Sequence, residues 1–336
     1  MSDPVENFQA PPPPPQPELA PRAPRPTKLR TIAIPAFVVG LIVFGLALAK
    51  VIPRGLMGAG GGLAFLGIVF FALSFVPLPV VEGAEAPMSP LQKLTGIFFE
   101  PSRVFRNLRM YPRWVAPYVV IGVLTVIYSV AFTQRLTPER IVNFRVDKVA
   151  EMPPPFTPPP AAIEGMRADG IEELKNPIRK VGTVLTTFVA LFCFSAFVSA
   201  LYMLGTLVFG GRINFWQTLA VLLYASFPVV LIQKVLGLVL LYIKSPDDIH
   251  PILGQETLVT DNLGVLFSSA NHPVLFVLAS AIGVLSFYGL WLKATGLKNG
   301  GTKVSKGAAW GVAVMFWVLS VLLIAGMTAL FPGFIS

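Results

Sequence analysis

Long stretches without a charged residue constrain this chain more than any other feature. Asp, Glu, Lys and Arg are absent from seven runs, at residues 31–49, 55–81, 114–134, 181–211, 213–233, 262–292 and 307–336. Each run can span a bilayer, because a hydrocarbon core about 30 Å thick needs roughly 20 helical residues. Only 13% of the residues are charged, against about a quarter in an ordinary soluble domain, which excludes a soluble globular protein.

The apolar runs do not alternate between polar and apolar residues as the strands of a membrane barrel do. Residues 190–201 and 274–285 are apolar on every face, and only a helix satisfies its own backbone polar groups inside a membrane. The sequence therefore predicts an all-α polytopic membrane protein with about seven transmembrane helices.

Two of these runs allow more than one interpretation. The run at 213–233 is followed by Lys234 and then by nine uncharged residues, and we predict one helix from about residue 215 to 242. The first run ends in Ala-Leu-Ala, which resembles a cleaved signal peptide. A long preceding tail and a second run that follows at once instead favour a two-helix transmembrane hairpin at 31–81.

The distribution of Lys and Arg predicts the orientation. When the runs are assigned alternately, nearly all of the net charge of +9 falls on the side that carries the N-terminus. The positive-inside rule then places the N-terminus in the cytoplasm and the C-terminus outside, although the basic loop at 135–180 keeps the margin small. Residues 1–30 form a proline-rich cytoplasmic tail, with five consecutive prolines at 11–15, which we predict to be disordered.

The segment at 82–113 is predicted to be basic and amphipathic. Ser89 and Gln92 have the spacing of a capping box, and a second helix begins at Pro101. In that helix Val104, Phe105 and Leu108 line one side, opposite Arg103, Arg106 and Arg109. Such a helix is typical of the interface of an anionic leaflet. We predict lipid-headgroup contacts for Arg103, Arg106, Arg109 and Arg113, and no nucleic-acid binding, because no nucleic-acid module accompanies them.

No catalytic, cofactor-binding or metal-binding motif was found in the sequence. The cluster with metal-ligand residue types is Asp247, Asp248, His250, Asp261 and His272, which we interpret as a solvated loop. All 17 acidic residues lie outside the apolar runs, which argues against an intramembrane enzyme acting on lipid.

Lys234 is the one basic residue inside a predicted span. A lysine near the middle of a membrane costs about 2.5–3.5 kcal/mol on insertion scales and often marks an ion or substrate pathway. Its side chain can also extend to the outer interface. A transport role for Lys234 therefore remains an alternative.

Three patches give the chain a resemblance to a known family. They are residues 98–105 (FFEPSRVF) with 112–114 (PRW), residues 209–211 (FGG) leading into the helix at 215–228, and residues 291–297 (WLKATGL) with 306–309 (KGAA). In this order and spacing they resemble the bacterial relatives of the Yip-domain (Ypt/Rab-interacting protein) membrane proteins.

The resemblance implies a five-helix Yip-like domain at 114–336, in the inner membrane of a bacterium, with no enzymatic activity. Eukaryotic members are adaptors of membrane traffic that bind Rab-type GTPases, a role we do not transfer to this chain. The predicted function is a membrane organiser or adaptor whose partners are anionic lipid, membrane proteins or a second copy of the chain. The alternative is a small-solute or ion transporter that uses Lys234.

Overall fold

The fold is all-α, as predicted. A computed structural model describes residues 25–52, 56–78, 86–152 and 157–331. Its helices are α1 (Lys28–Leu48), α2 (Met57–Leu73), α3 (Pro90–Phe99), α4 (Pro101–Met110), α5 (Val115–Leu136), α6 (Pro138–Ala150), α7 (Pro160–Lys175), α8 (Pro177–Val208), α9 (Phe215–Ile243), α10 (Gly254–Thr257), α11 (Pro273–Ser280), α12 (Val284–Gly300) and α13 (Lys306–Leu330). Most of the predicted tail, residues 1–24, lies outside the described residues.

Five helices are long and apolar enough to cross a membrane, namely α1, α5, α8, α9 and α13. Helix α2 is apolar but shorter, with 17 residues. The prediction of a polytopic membrane protein is confirmed. The prediction of one uninterrupted helix through Lys234 also agrees with the structure, because α9 runs from Phe215 to Ile243.

The sequence predicted one span at 262–292, but the structure divides this run into two helices, α11 and α12. The backbone oxygen of Asp261 accepts a hydrogen bond from Val284 N (3.2 Å), and its carboxylate accepts one from Leu285 N (2.7 Å). Leu263 N donates to Ile282 O at 3.0 Å. The N–H groups of Val284 and Leu285, which would donate to the preceding turn in a continuous helix, thus bond to Asp261 instead. As a result, α12 begins as a separate helix after Gly283.

Helices α1 and α2 form the predicted hairpin, and their backbones pack directly against each other. A Cβ atom added to Gly40 would lie 2.3 Å from Ala64 N, and one added to Gly67 would lie 2.6 Å from Phe37 N. Small residues permit such an approach where lipid provides no hydrophobic driving force. Gly58 and Gly62 of α2 face α8, where the nearest side chains are those of Thr186 and Val189.

The apolar side of α4 packs against protein, whereas the sequence predicted that it would lie in the membrane interface. Val104, Phe105 and Leu108 are fully buried in the main core with residues of α9 and α12. Gly296 of α12 makes room for this contact, since a Cβ atom there would lie 3.1 Å from the Phe105 ring. The helix is amphipathic as predicted, but the surface that receives its apolar side is provided by the bundle.

The loop at 135–180 contains two packed helices, α6 and α7. Val142 and Val146 of α6 are buried, and a Cβ atom added to Gly170 of α7 would meet Val142 at 2.9 Å. Arg167 of α7 donates to Asn143 Oδ1 and to Asp147 Oδ1, both at 2.7 Å. This loop is therefore a folded cap over one end of the bundle.

Candidate functional site

The four arginines predicted to contact lipid headgroups lie at one end of the bundle. Arg103 and Arg106 of α4 are exposed, Arg109 is half-buried, and Arg113 is exposed in the linker that enters α5. Arg103 forms a solvent-exposed ion pair with Glu100 at 3.0 Å. Arg103, Arg106 and Arg109 recur every three residues along α4, and Arg113 follows just after the helix. We call these four residues the α4 basic face (Arg103, Arg106, Arg109 and Arg113).

Hydrogen bonds from neighbouring elements hold α4 in place. The buried Asn107 donates from Nδ2 to Ala86 O (3.1 Å) and accepts at Oδ1 from Met88 N (3.2 Å). Gln217, at the start of α9, donates from Nε2 to Arg109 O at 2.7 Å. Its Oε1 accepts from Asn214 N at 2.8 Å, which completes the capping box of α9. The α4 basic face is therefore fixed to the transmembrane bundle.

The two ends of the bundle differ in how their charges are compensated. At the end opposite α4, ion pairs join Arg140 to Asp247 (3.1 Å), Lys148 to Glu151 (3.1 Å), Arg167 to Asp147 (2.7 Å) and Lys175 to Glu139. At the α4 end, the acidic side chain within the described ranges is Glu100. Further basic residues at that end are Arg25, Lys28, Arg30, Lys93, Arg212, Lys293, Lys298, Lys303 and Lys306. Among the described residues, positive charge without an ion-pair partner is thus concentrated at the α4 end.

Lys93 is a buried basic residue that the sequence analysis missed. Its side chain is only 1% exposed, and Nζ donates to Tyr111 O at 3.2 Å. Lys93 precedes the fully buried Ile97 by four residues, so both lie on the inner face of α3, whereas Leu91 is exposed. The four-residue spacing between Lys93 and Ile97 was the signal in the sequence that could have identified Lys93 as buried.

Lys234 lies at the opposite end, in a cavity of about 280 Å³. Its Nζ is 4.6 Å from the centre of the Tyr128 ring and donates to Gln255 O at 3.5 Å. The polar lining also comes from α5, α7 and α8, and it includes Thr125, Thr133, Glu173 and Thr183. Lys234 therefore faces a cavity lined by both polar and apolar side chains, and its ammonium group extends toward the loop that contains α10.

The Asp and His residues between α9 and α12, which have metal-ligand side chains, do not converge on a common point. Asp247 pairs with Arg140, His250 Nδ1 accepts from Ile252 N and Leu253 N, and Asp261 caps α12. Within the described ranges, no group of three or more His, Cys, Asp and Glu residues is arranged to hold a metal ion.

Comparison with known protein families gives a match that covers most of the chain. The family model of the Yip1 domain matches residues 95–327, from within α3 to within α13, and leaves out the hairpin of α1 and α2. No curated protein and no solved structure matches the chain. Because the family match covers more than half of the chain and includes α4 and the bundle that holds it, this protein belongs to the Yip1 domain family.

Proposed function

We propose that this integral membrane protein is a non-enzymatic organiser or adaptor whose α4 end faces an anionic leaflet. The observation that supports this most directly is the difference between the two ends: among the described residues, four ion pairs lie at the end opposite α4, whereas at the α4 end only Arg103 forms one, with Glu100. A basic residue near an anionic membrane surface contributes about 1 kcal/mol of attraction. The α4 basic face thus prefers anionic headgroups.

This proposal includes an orientation. Positive residues favour the cytoplasmic side of a bacterial inner membrane, so the α4 end and the N-terminus are cytoplasmic, and the C-terminus is outside. Protein partners, including a second copy of the chain, then meet the molecule in the plane of the membrane or at its basic end.

Removing two exposed arginines from α4 tests the lipid preference. We expect the double variant Arg103→Gln/Arg106→Gln to lower the preference for phosphatidylglycerol over phosphatidylcholine by roughly fivefold or more, since each arginine contributes about 1 kcal/mol and Glu100 already screens Arg103. Spin-labelled lipids in reconstituted vesicles, read by electron paramagnetic resonance, measure this preference.

A matched control removes the same charge from the other end, as Arg145→Gln/Lys244→Gln. Both of these side chains are exposed, and we expect their removal to leave the lipid preference close to that of the wild type. Equal effects of the two double variants would contradict a specific role for the α4 basic face.

A second candidate function is transport of a small anionic solute, which the cavity around Lys234 favours. An ionisable side chain at membrane depth commonly lies on a solute pathway. We expect Lys234→Ala to reduce chloride or nitrate flux through reconstituted vesicles by about tenfold or more, whereas Lys244→Ala, at the exposed end of α9, leaves it unchanged. Flux no greater than that of protein-free vesicles would eliminate this candidate.

A further inference from the structure

A cavity of about 370 Å³ lies at the α4 end of the bundle, between the start of α3, the linker from α4 to α5, and α9. This volume is within the range of about 300–1,000 Å³ that is usual for small-molecule pockets. The residues that form its walls include Met88, Lys93, Arg113, Trp114, Val115 and Tyr224. The residues of the walls provide apolar surface, and three of them carry hydrogen-bond donors, namely Lys93, Arg113 and Tyr224.

The first of these donors is the buried ammonium of Lys93. Among the residues that the structure describes, no carboxylate forms an ion pair with it, and its hydrogen bond to Tyr111 O engages one of three protons. Burial, together with the nearby Arg113, lowers the pKa of Lys93 from 10.5 to about 8. A buried cation without a counter-ion is energetically costly, and an anion in the cavity would offset that cost.

The second donor is the hydroxyl of Tyr224. This side chain is 0% exposed, and within the described ranges its hydroxyl has no hydrogen-bond partner. Buried polar groups are nearly always hydrogen-bonded, so an unpartnered hydroxyl on a residue that lines a cavity points to a missing acceptor. Lys93 and Tyr224 come from different helices, α3 and α9, and therefore point to a ligand independently.

The position of the cavity indicates what kind of anion fits. Trp114 precedes the first residue of α5, one of the five long apolar helices, and tryptophan is enriched at the boundary between membrane and water. A ligand here has its charged group at headgroup level, and the apolar walls can accept the glycerol and upper acyl carbons of a lipid. An oxyanion with several acceptor oxygens can bond to an ammonium, a guanidinium and a hydroxyl simultaneously.

We propose that Lys93, Arg113 and Tyr224 form a binding site for one phosphate group, supplied by the phosphodiester headgroup of an anionic lipid. This inference deepens the proposed function and rests on its claim that the α4 end faces an anionic leaflet. The α4 basic face attracts anionic lipid in general, whereas the cavity holds a single molecule in a defined place.

Two variants test the site while preserving the shape of the core. Lys93→Met removes the charge with similar side-chain length, and Tyr224→Phe removes only the hydroxyl. We expect one phosphatidylglycerol to bind per wild-type chain, about tenfold or more weakly in Lys93→Met and about threefold to tenfold more weakly in Tyr224→Phe. Native mass spectrometry of the full chain in detergent, titrated with phosphatidylglycerol or phosphatidylcholine, counts the bound lipid.

Inorganic phosphate distinguishes the two sources of the same chemical group. If phosphatidylglycerol binds at a lower concentration than inorganic phosphate does, and Lys93→Met weakens the binding of both, the result supports the lipid as the ligand. Tighter binding of inorganic phosphate would overturn the assignment to lipid. Phosphatidylglycerol binding that is unchanged in both Lys93→Met and Tyr224→Phe would overturn the site itself.

The failure of this site can be told apart from the failure of the α4 basic face. If Arg103→Gln/Arg106→Gln loses lipid preference while the cavity variants bind as the wild type does, the proposed function stands and the cavity assignment is wrong. If Arg103→Gln/Arg106→Gln leaves the lipid preference unchanged while the cavity variants lose one bound lipid, the binding site is supported, and the α4 basic face has no general role in lipid preference.

The pH dependence of binding provides a further readout. The other charged or titratable side chains near Lys93 are those of Tyr111, Arg113 and Tyr224, and a phosphodiester stays anionic throughout this pH range. Lys93, with its pKa of about 8, loses its proton as the pH rises through this value. We expect phosphatidylglycerol affinity to fall between pH 7 and about pH 9 in the wild type but not in Lys93→Met. The same fall in both proteins would contradict the role of Lys93.

Discussion

Replacing Gly60 with leucine is expected to disrupt the packing of α1 against α2. A Cβ atom at this position would lie 2.5 Å from Phe44 N and 3.0 Å from Gly40 O. Overpacking against movable side chains typically costs about 1–3 kcal/mol. Because both of these close contacts are with backbone atoms, we expect Gly60→Leu to lower the free energy of unfolding by an amount at or above the upper limit of that range. The loss should appear as a lower thermal unfolding midpoint in detergent, followed by circular dichroism.

Gly45 provides the matched control in the same hairpin. A Cβ atom there would meet nothing within 4 Å, and Gly45→Leu also replaces a helical glycine with a better helix former. We expect this variant to unfold at or slightly above the wild-type midpoint. Equal midpoints for Gly60→Leu and Gly45→Leu would mean that the helices are not packed as closely as the structure has them.

Replacing Phe105 with alanine is expected to loosen α4 from the bundle. The Phe105 side chain is 0% exposed and contacts the helix α12 surface at Gly296. Truncation of a buried phenylalanine costs about 3–5 kcal/mol, because apolar burial is lost and a cavity remains. Denaturant unfolding measures this loss, and faster tryptic cleavage after the α4 arginines reports the release of the helix.

Phe99 is the corresponding control, since it ends the preceding helix and is 85% exposed. We expect Phe99→Ala to change stability by less than about 0.5 kcal/mol, as surface substitutions usually do. Unchanged tryptic cleavage in Phe105→Ala would show that α4 is retained by Asn107 and Gln217 alone.

Much of the fold follows from the sequence because its signals are local. The absence of charge over roughly 20 residues predicts a spanning helix for a direct physical reason, and α1, α5, α8, α9 and α13 meet that criterion. The capping box of Ser89 and Gln92 and the helix start at Pro101 are likewise set by neighbouring residues, and both occur in the structure.

The remaining features depend on partners that are distant in sequence. The break between α11 and α12 arises from hydrogen bonds of Asp261, which lies before a run that looks continuous by charge alone. The apolar side of α4 fits either lipid or a protein groove, and only the position of Gly296 decides between them. The cavity at Lys93 could not be predicted from the sequence for the same reason, since Tyr224, another of its lining residues, lies more than a hundred residues later in the chain.

The interrupted passage of α11 and α12 has a consequence for how the chain enters the membrane. Helix α11 has 8 residues and α12 has 17, and α12 ends in a segment with two lysines, so neither is a self-sufficient insertion signal. The groups whose hydrogen bonds stabilise the break belong to residues from Asp261 to Ile282, which precede α12 along the chain. They are therefore synthesised before it, and α12 can be capped as it leaves the ribosome. We expect this passage to insert cooperatively, as the last step before α13 anchors the C-terminal side of the domain.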